Sequence, residues 1–188
     1  PTPWQTLQDD LGRAGVGLDE WTRAPDQSMA ENVAALGAGA VDVIEVFEPY
    51  ADMAVQAGYG HVWHRFATRG DVGFTSFYTT RSFAETERDT CRALVRGIGR
   101  SLRYLAGADA DEVAVQVQPY FPDLSVESLA RIVTNLRGVG LWAATPVFPV
   151  DAFVRLKAAL LSGGLISYDV PYDLAVDEEL SATPIPQE

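Results

Sequence analysis

An α/β fold is what this sequence predicts, and three observations carry the prediction. Helix-like and strand-like stretches alternate through about the first 70 residues. One of those stretches, VDVIEVF at 41–47, is a near-continuous apolar run of the kind that fills a buried strand. Past residue 70 the alternation gives way to long amphipathic helices with few strand signals.

The elements of the first part follow in order. Thr2-Pro3 reads as an N-cap followed by proline in the first turn, opening a helix over 3–14. With nothing before it, that start is expected to mark the point where a longer protein has been trimmed. EWTRA at 20–24 reads as a strand, and Ser28-Met-Ala-Glu31 forms a capping-box pattern ahead of NVAALGAG. Gly37 and Gly39 close that helix, the 41–47 strand follows, and Pro49 starts a short helix through Gln56. HVWHRFAT, after Gly58 and Gly60, is a further strand, and TRGDVGFTSFYTTRSF at 68–83 reads as a crossover followed by a strand.

From Ala84 onward the pattern is helical. Leu94, Ile98, Leu102 and Leu105 recur at helical spacing, as do Phe153, Leu156, Leu160 and Leu161, and both stripes are expected in the core. Helices are expected to stop at Gly107, Gly138 and Gly163. After Gly164 the chain is acidic and proline-punctuated, so an extended, frayed end is expected.

The 188 residues carry a net charge of −12 and a single cysteine. A surface of that sign repels phosphate backbones, which argues against nucleic acid as a partner. Cys91 cannot form an internal disulfide, and no paired Cys/His spacing marks a zinc site. His61 and His64 read as structural, and no metal or cofactor is expected. No run of apolar residues is long enough to cross a membrane, and the chain does not open with a secretion-signal pattern.

The candidate site begins at Glu48, where an apolar strand ends on a carboxylate ahead of Pro49 and Tyr50. In open α/β sheets ligands bind beyond the carboxyl ends of strands, which favours Glu48 over Glu45, three residues earlier and on the opposite strand face. Thr2 and Trp4 offer a helix start with free N–H groups and an aromatic plane. The paired glycines have neither GxGxxG nor GxxxxGK[ST] spacing, and no GxSxG elbow occurs.

The words of the sequence then become informative. NVAALGAGAVDVIEVFEPYADMAVQAGYGHVW, FYTTRSF, PYFPDLSVESLARIV, GLW and FVRLKAALLSGGLI together span nearly the whole chain. They resemble substrate-binding proteins of ABC importers, in the branch that includes thiamine-pyrimidine-precursor, aliphatic sulfonate, nitrate and taurine binders. The resemblance implies a type II periplasmic-binding fold: two α/β lobes closing on a small molecule. Residues 1–70 would form the second lobe and 71–188 the C-terminal, mainly helical part of an incomplete first lobe. A missing N-terminal segment or self-association is therefore expected to cover apolar faces left open.

Carried over by position, the resemblance implies a ligand site at Thr2, Trp4, the turn Asp26-Gln27-Ser28, Glu48 and Tyr50. It implies a non-enzymatic solute receptor, periplasmic or extracellular and membrane-anchored, with a transporter permease as partner. A carboxylate prefers donors and the aromatics suit a flat ring, so a nitrogen heterocycle such as a pyrimidine precursor is the favoured ligand. The alternatives are a pyrimidine-synthase-like enzyme, for which Cys91 alone is too little, and the sensing lobe of a regulator.

Overall fold

A computed structural model describes residues 2–17 and 19–186, without the side chains of Thr2 and Gln5. The chain divides into two compact units, each drawn from two stretches: Pro1–Thr68 with Ala110–Leu136, and Arg69–Asp109 with Arg137–Glu188. Ten α-helices and two 3-10 turns make up the regular structure among the described residues.

In the first unit, α1 (Thr2–Arg13) is followed by α2 (Met29–Gly37) and α3 (Tyr50–Gln56). The expected capping box is present: Ser28 Oγ accepts from the Glu31 N–H at 3.2 Å, and the Glu31 carboxylate accepts from the Ser28 N–H at 2.8 Å. That pair of bonds satisfies two helix-start donors, and the Ser28 hydroxyl and then the Ser28 N–H, both donating to the carboxylate, hold Glu31 below its ordinary pKa. The helix α2 ends at Gly37, whose missing side chain lets the Tyr59 ring lie 2.7 Å from where a Cβ would stand. Residues 110–136 add α6 (Ala110–Val117), a 3-10 turn (Gln118–Tyr120) and most of α7 (Val126–Gly138). Buried apolar residues come from α2 (Val33), α3 (Ala54), α6 (Val113, Ala114) and α7 (Leu129, Ile132, Val133).

One ion pair crosses this core. Asp52 on α3, buried at 7% exposure, meets Arg131 on α7, 79 residues away. Arg131 Nε donates to Oδ1 at 3.2 Å and Nη2 to Oδ2 at 3.1 Å, while its remaining donors reach Glu127 at 3.1 Å and Ser128 at 2.9 Å. The hydrogen bond to Asp52, and then the charges of Asp52 and Glu127, raise the guanidinium pKa against the opposing effect of burial. A buried carboxylate without such a partner would be costly, so the pair fixes α3 to α7.

The second unit holds α4 (Arg81–Thr86), α5 (Arg88–Gly107), α8 (Val150–Ser162), α9 (Tyr172–Ala175) and α10 (Glu178–Ser181). The rings of Phe148, Phe153 and Tyr172 meet edge to face, with centroids 6.3 and 5.4 Å apart. The Tyr172 hydroxyl donates to the Phe148 carbonyl, and burial is the main cause of its raised pKa. Two side chains of α8 hold loops: Arg155 donates to the Asp71 carbonyl at 2.7 Å, and Lys157 to the Val170 carbonyl at 3.2 Å.

Several expectations need correcting. The stretches 20–24, 41–47, 61–68 and the run after residue 72, all read as strands, pair with no partner strand among the described residues. The last part of HVWHRFAT instead enters a 3-10 turn, Phe66–Arg69. Composition favours an extended backbone, but a strand also needs a neighbour to accept its ladder of hydrogen bonds. In the second unit, a backbone bond from the Gly73 N–H to the Ala152 carbonyl, 3.1 Å, ties the run after residue 72 to a helix. Phe77 and Tyr78 stay 73% and 96% exposed, too open for a covered sheet.

Leu94 and Leu161, expected in the core, are 49% and 37% exposed. On α5 the half-buried apolar side chains are Cys91, Val95, Ile98, Leu102 and Leu105, and Leu94 falls at the edge of that face. The acidic C-terminal stretch, expected extended, forms the short helices α9 and α10, because Asp177 caps α10 by accepting from the Leu180 N–H at 2.9 Å. Its last two residues lie outside the described set.

Two predictions follow from these ties. Asp52→Ala removes two charge-assisted bonds at a buried carboxylate and should cost about 2 kcal/mol in urea unfolding read by tryptophan fluorescence, with Asp52→Asn costing less. The Asp177 carboxyl is held below its ordinary pKa, chiefly by its hydrogen bond from Arg88, with the Leu180 N–H and the Arg88 and Arg92 charges adding. Its stabilisation is therefore complete above the unfolded aspartate value, about 3.9, and is lost as pH falls through the folded value. Hydrogen exchange at Leu180 and Thr183, corrected for intrinsic rates, should accelerate below about pH 4, and Asp177→Asn should flatten that dependence.

Candidate functional site

The residues singled out by sequence fall into two local groups, both in the first unit. The first is built on Trp4 of α1. Its ring centre lies 5.5 Å from that of Trp21 at a tilt of 57°, and the Arg23 guanidinium sits 4.0 Å over its face. Arg23 in turn is ion-paired with Asp26, which places the turn Asp26-Gln27-Ser28 beside the aromatic pair. A cation over an indole face is attracted by the ring quadrupole, so Arg23 fixes the Trp4 plane. Trp21 Nε1 is buried and has no hydrogen-bond partner among the described residues. A buried indole N–H normally finds an acceptor, and this one has none among the described residues.

Within the turn the residues differ. Gln27 is exposed, whereas the Ser28 hydroxyl is engaged in the capping box, 2.7 Å from Glu31 Oε2. Thr2 is the first residue of α1, and its side chain lies outside the described residues.

The second group is the start of α3. Glu48 Oε2 accepts from the Asp52 N–H at 2.9 Å, which caps the helix in place of Pro49, a residue with no side-chain acceptor. The Glu48–Pro49 peptide is cis, and Glu48 and Tyr50 are both half-buried. Oε1 has no hydrogen-bond partner among the described residues, so the carboxylate can cap the helix and still accept from a ligand. The helix it caps is the one that Asp52 anchors to Arg131. Glu45 is half-buried three residues upstream.

His61 and His64 are exposed, and the His64 ring meets Phe66 edge-on at 5.6 Å. Cys91 is a free, half-buried thiol on α5. No group of three metal-ligating side chains occurs among the described residues, and no helix there is long and apolar enough to cross a membrane.

Sequence reasoning missed Trp21 and Arg23. A signal was present, since alternate positions of an extended stretch share a face and EWTRA puts Trp21 and Arg23 two apart. The Asp52–Arg131 tie gave no such signal, because its members are 79 residues apart on helices of unrelated pattern.

The family match described next includes the second group, Trp21, Arg23 and the 26–28 turn, but not Thr2 or Trp4. The NMT1-like family matches residues 12–118. "Putative binding protein YtlA" of Bacillus subtilis (strain 168) is 20% identical over 148 residues, covering 78% of this chain and 44% of that relative. The chain thus spans less than half the length of the curated relative it matches. No solved structure matches it significantly. With more than half of its residues inside the matched span, this chain belongs to the NMT1-like family.

Proposed function

We propose that this chain is part of an extracytoplasmic solute-binding component of an ABC importer, taking a small flat nitrogen heterocycle. The observation that carries the ligand class is the Trp4–Trp21 pair with its unspent indole N–H. Trp21 Nε1 is a donor suited to a ring nitrogen or carbonyl, and Glu48 Oε1 is an acceptor suited to an exocyclic amine. A pyrimidine with an amino group presents both chemistries on one planar ring, and the indoles supply a stacking surface. Arg23 does not tip the site towards anions, because Asp26 already neutralises it.

In this reading Tyr50 and the Gln27 amide border the ligand, and the Thr2 helix start contributes N–H groups. The two groups act together as the wall of one lobe. The family match and the binding-protein relative support a receptor rather than an enzyme. A permease is the partner in transport. Phe74, Phe77 and Tyr78 form a surface that a lobe-completing segment or a second copy covers in the assembled receptor.

Titration of the chain with an aminopyrimidine should quench tryptophan fluorescence, and taurine should not. Glu48→Ala should weaken that binding about tenfold or more, the worth of a hydrogen bond to a charged group. Glu48→Gln, which keeps an acceptor for the Asp52 N–H, separates loss of charge from loss of the cap. Tight taurine binding with no pyrimidine binding would reverse the ligand class, and an unchanged affinity in Glu48→Ala would remove that residue from the site. Light scattering of the chain alone should report a mass above the monomer; a stable monodisperse monomer would count against the covered surface.

A further inference from the structure

Five of the chain's 14 basic residues lie on one helix: Arg88, Arg92, Arg96, Arg100 and Arg103 of α5. Steps of four turn a helix by only about 40°, so the five form a slanting ladder about 22 Å long on one side. On a protein of net charge −12 this is a local reversal of sign. Gly99 falls within the same sector.

The C-terminal segment lies along this face in matching order. Arg88 donates to both oxygens of Asp177, at 2.7 and 3.3 Å, and lies 2.9 Å from a Glu179 oxygen. Arg92 reaches the other Glu179 oxygen at 3.0 Å. Further along, Ile185 occupies the notch at Gly99, where a Cβ would stand 1.9 Å from its Cδ1. Arg103 closes the row by donating to the Ile185 and Pro186 carbonyls at 3.4 and 2.7 Å. Carboxylates therefore satisfy the first half of the ladder, and Arg103 meets neutral carbonyls. Arg96 has no ion-pair partner among the described residues. The segment fits the face in direction and in its apolar anchor, yet among the described residues it brings no carboxylate to Arg96.

We infer that the arginine face of α5 is a docking surface for an acidic peptide segment of a partner protein, occupied in cis by residues 177–186, which begin with the short helix α10. The occupant has two carboxylates near its start, a further one opposite Arg96, and a small apolar side chain for the Gly99 notch. Exchange is feasible because the cis segment is held largely by exposed ion pairs, which salt screens, with Leu180 and Thr183 its buried residues. The inference is independent of the ligand reading above, since every group in it belongs to the second unit.

The test uses the full chain carrying Asp177→Asn and Glu179→Gln, which weakens the cis segment while the substituted amide can still cap α10. A fluorescent peptide of residues 177–186 should bind this variant at least tenfold more tightly than it binds the unaltered chain, read by anisotropy. Raising salt from 50 to 500 mM should weaken binding by more than tenfold. Adding Arg88→Gln and Arg92→Gln should abolish it, and a peptide with Ala182→Glu, a carboxylate between the Glu179 and Ile185 anchors, should bind more tightly still. Absence of binding, equal binding of a scrambled peptide, or no gain from Ala182→Glu would each overturn the inference. So would dimer formation by the variant mixed with unaltered chain, which would make a second copy the occupant. If the variant fails to fold, excess peptide added to the unaltered chain must accelerate hydrogen exchange at its own Leu180 and Thr183; no acceleration overturns the inference equally.

Discussion

A buried carboxylate has to be answered, and the answer given to Asp52 organises the first unit. Its partner could not be local, because α3 has seven residues and carries no basic side chain. Arg131 supplies the match from α7, with a planar fork that meets both carboxylate oxygens. The pair thereby sets where α3 begins, and with it the position of Glu48, whose carboxylate caps the same helix through the Asp52 N–H. Fold and candidate site thus share one residue, which gives its backbone to the cap and its side chain to the core.

The second unit uses the same chemistry differently. Its long-range ties include arginines and a lysine reaching exposed carboxylates or backbone carbonyls, from α5 to the C-terminal segment and from α8 to the loops at Asp71 and Val170. Such ties are individually weak in water and sensitive to salt and acid, whereas the Asp52 pair is shielded. The contrast separates a segment that can be exchanged from a helix that cannot. A surface of opposite sign to the whole chain, with its acidic cover already in register, is what makes exchange specific rather than diffuse.

Much of the helical framework was legible in the sequence. The capping box at Ser28, the stop at Gly37, the start after Pro49 and the ends at Gly107 and Gly138 all depend on residues within a few positions of one another. The strands were not legible in the same way. VDVIEVF and the run through Phe77 have the composition of strands, but pairing is a property of two segments, and no described segment supplies a second edge. The site was half legible: Trp4, Glu48 and the 26–28 turn stand out by local chemistry, whereas Trp21 and Arg23 gain meaning only beside Trp4.

By itself, then, the sequence determined what short-range physics can determine: helix starts and stops, a surface that repels phosphate, and a motif likeness that led to the family. Tertiary structure alone decided which charges meet. It joined Asp52 to Arg131, left the Trp21 N–H without a partner among the described residues, and laid an acidic segment along the arginine face of α5. The reason is physical. A cap is set by residues three apart on one chain, while an ion pair 79 or 89 residues apart depends on where the packing of other elements brings its two ends.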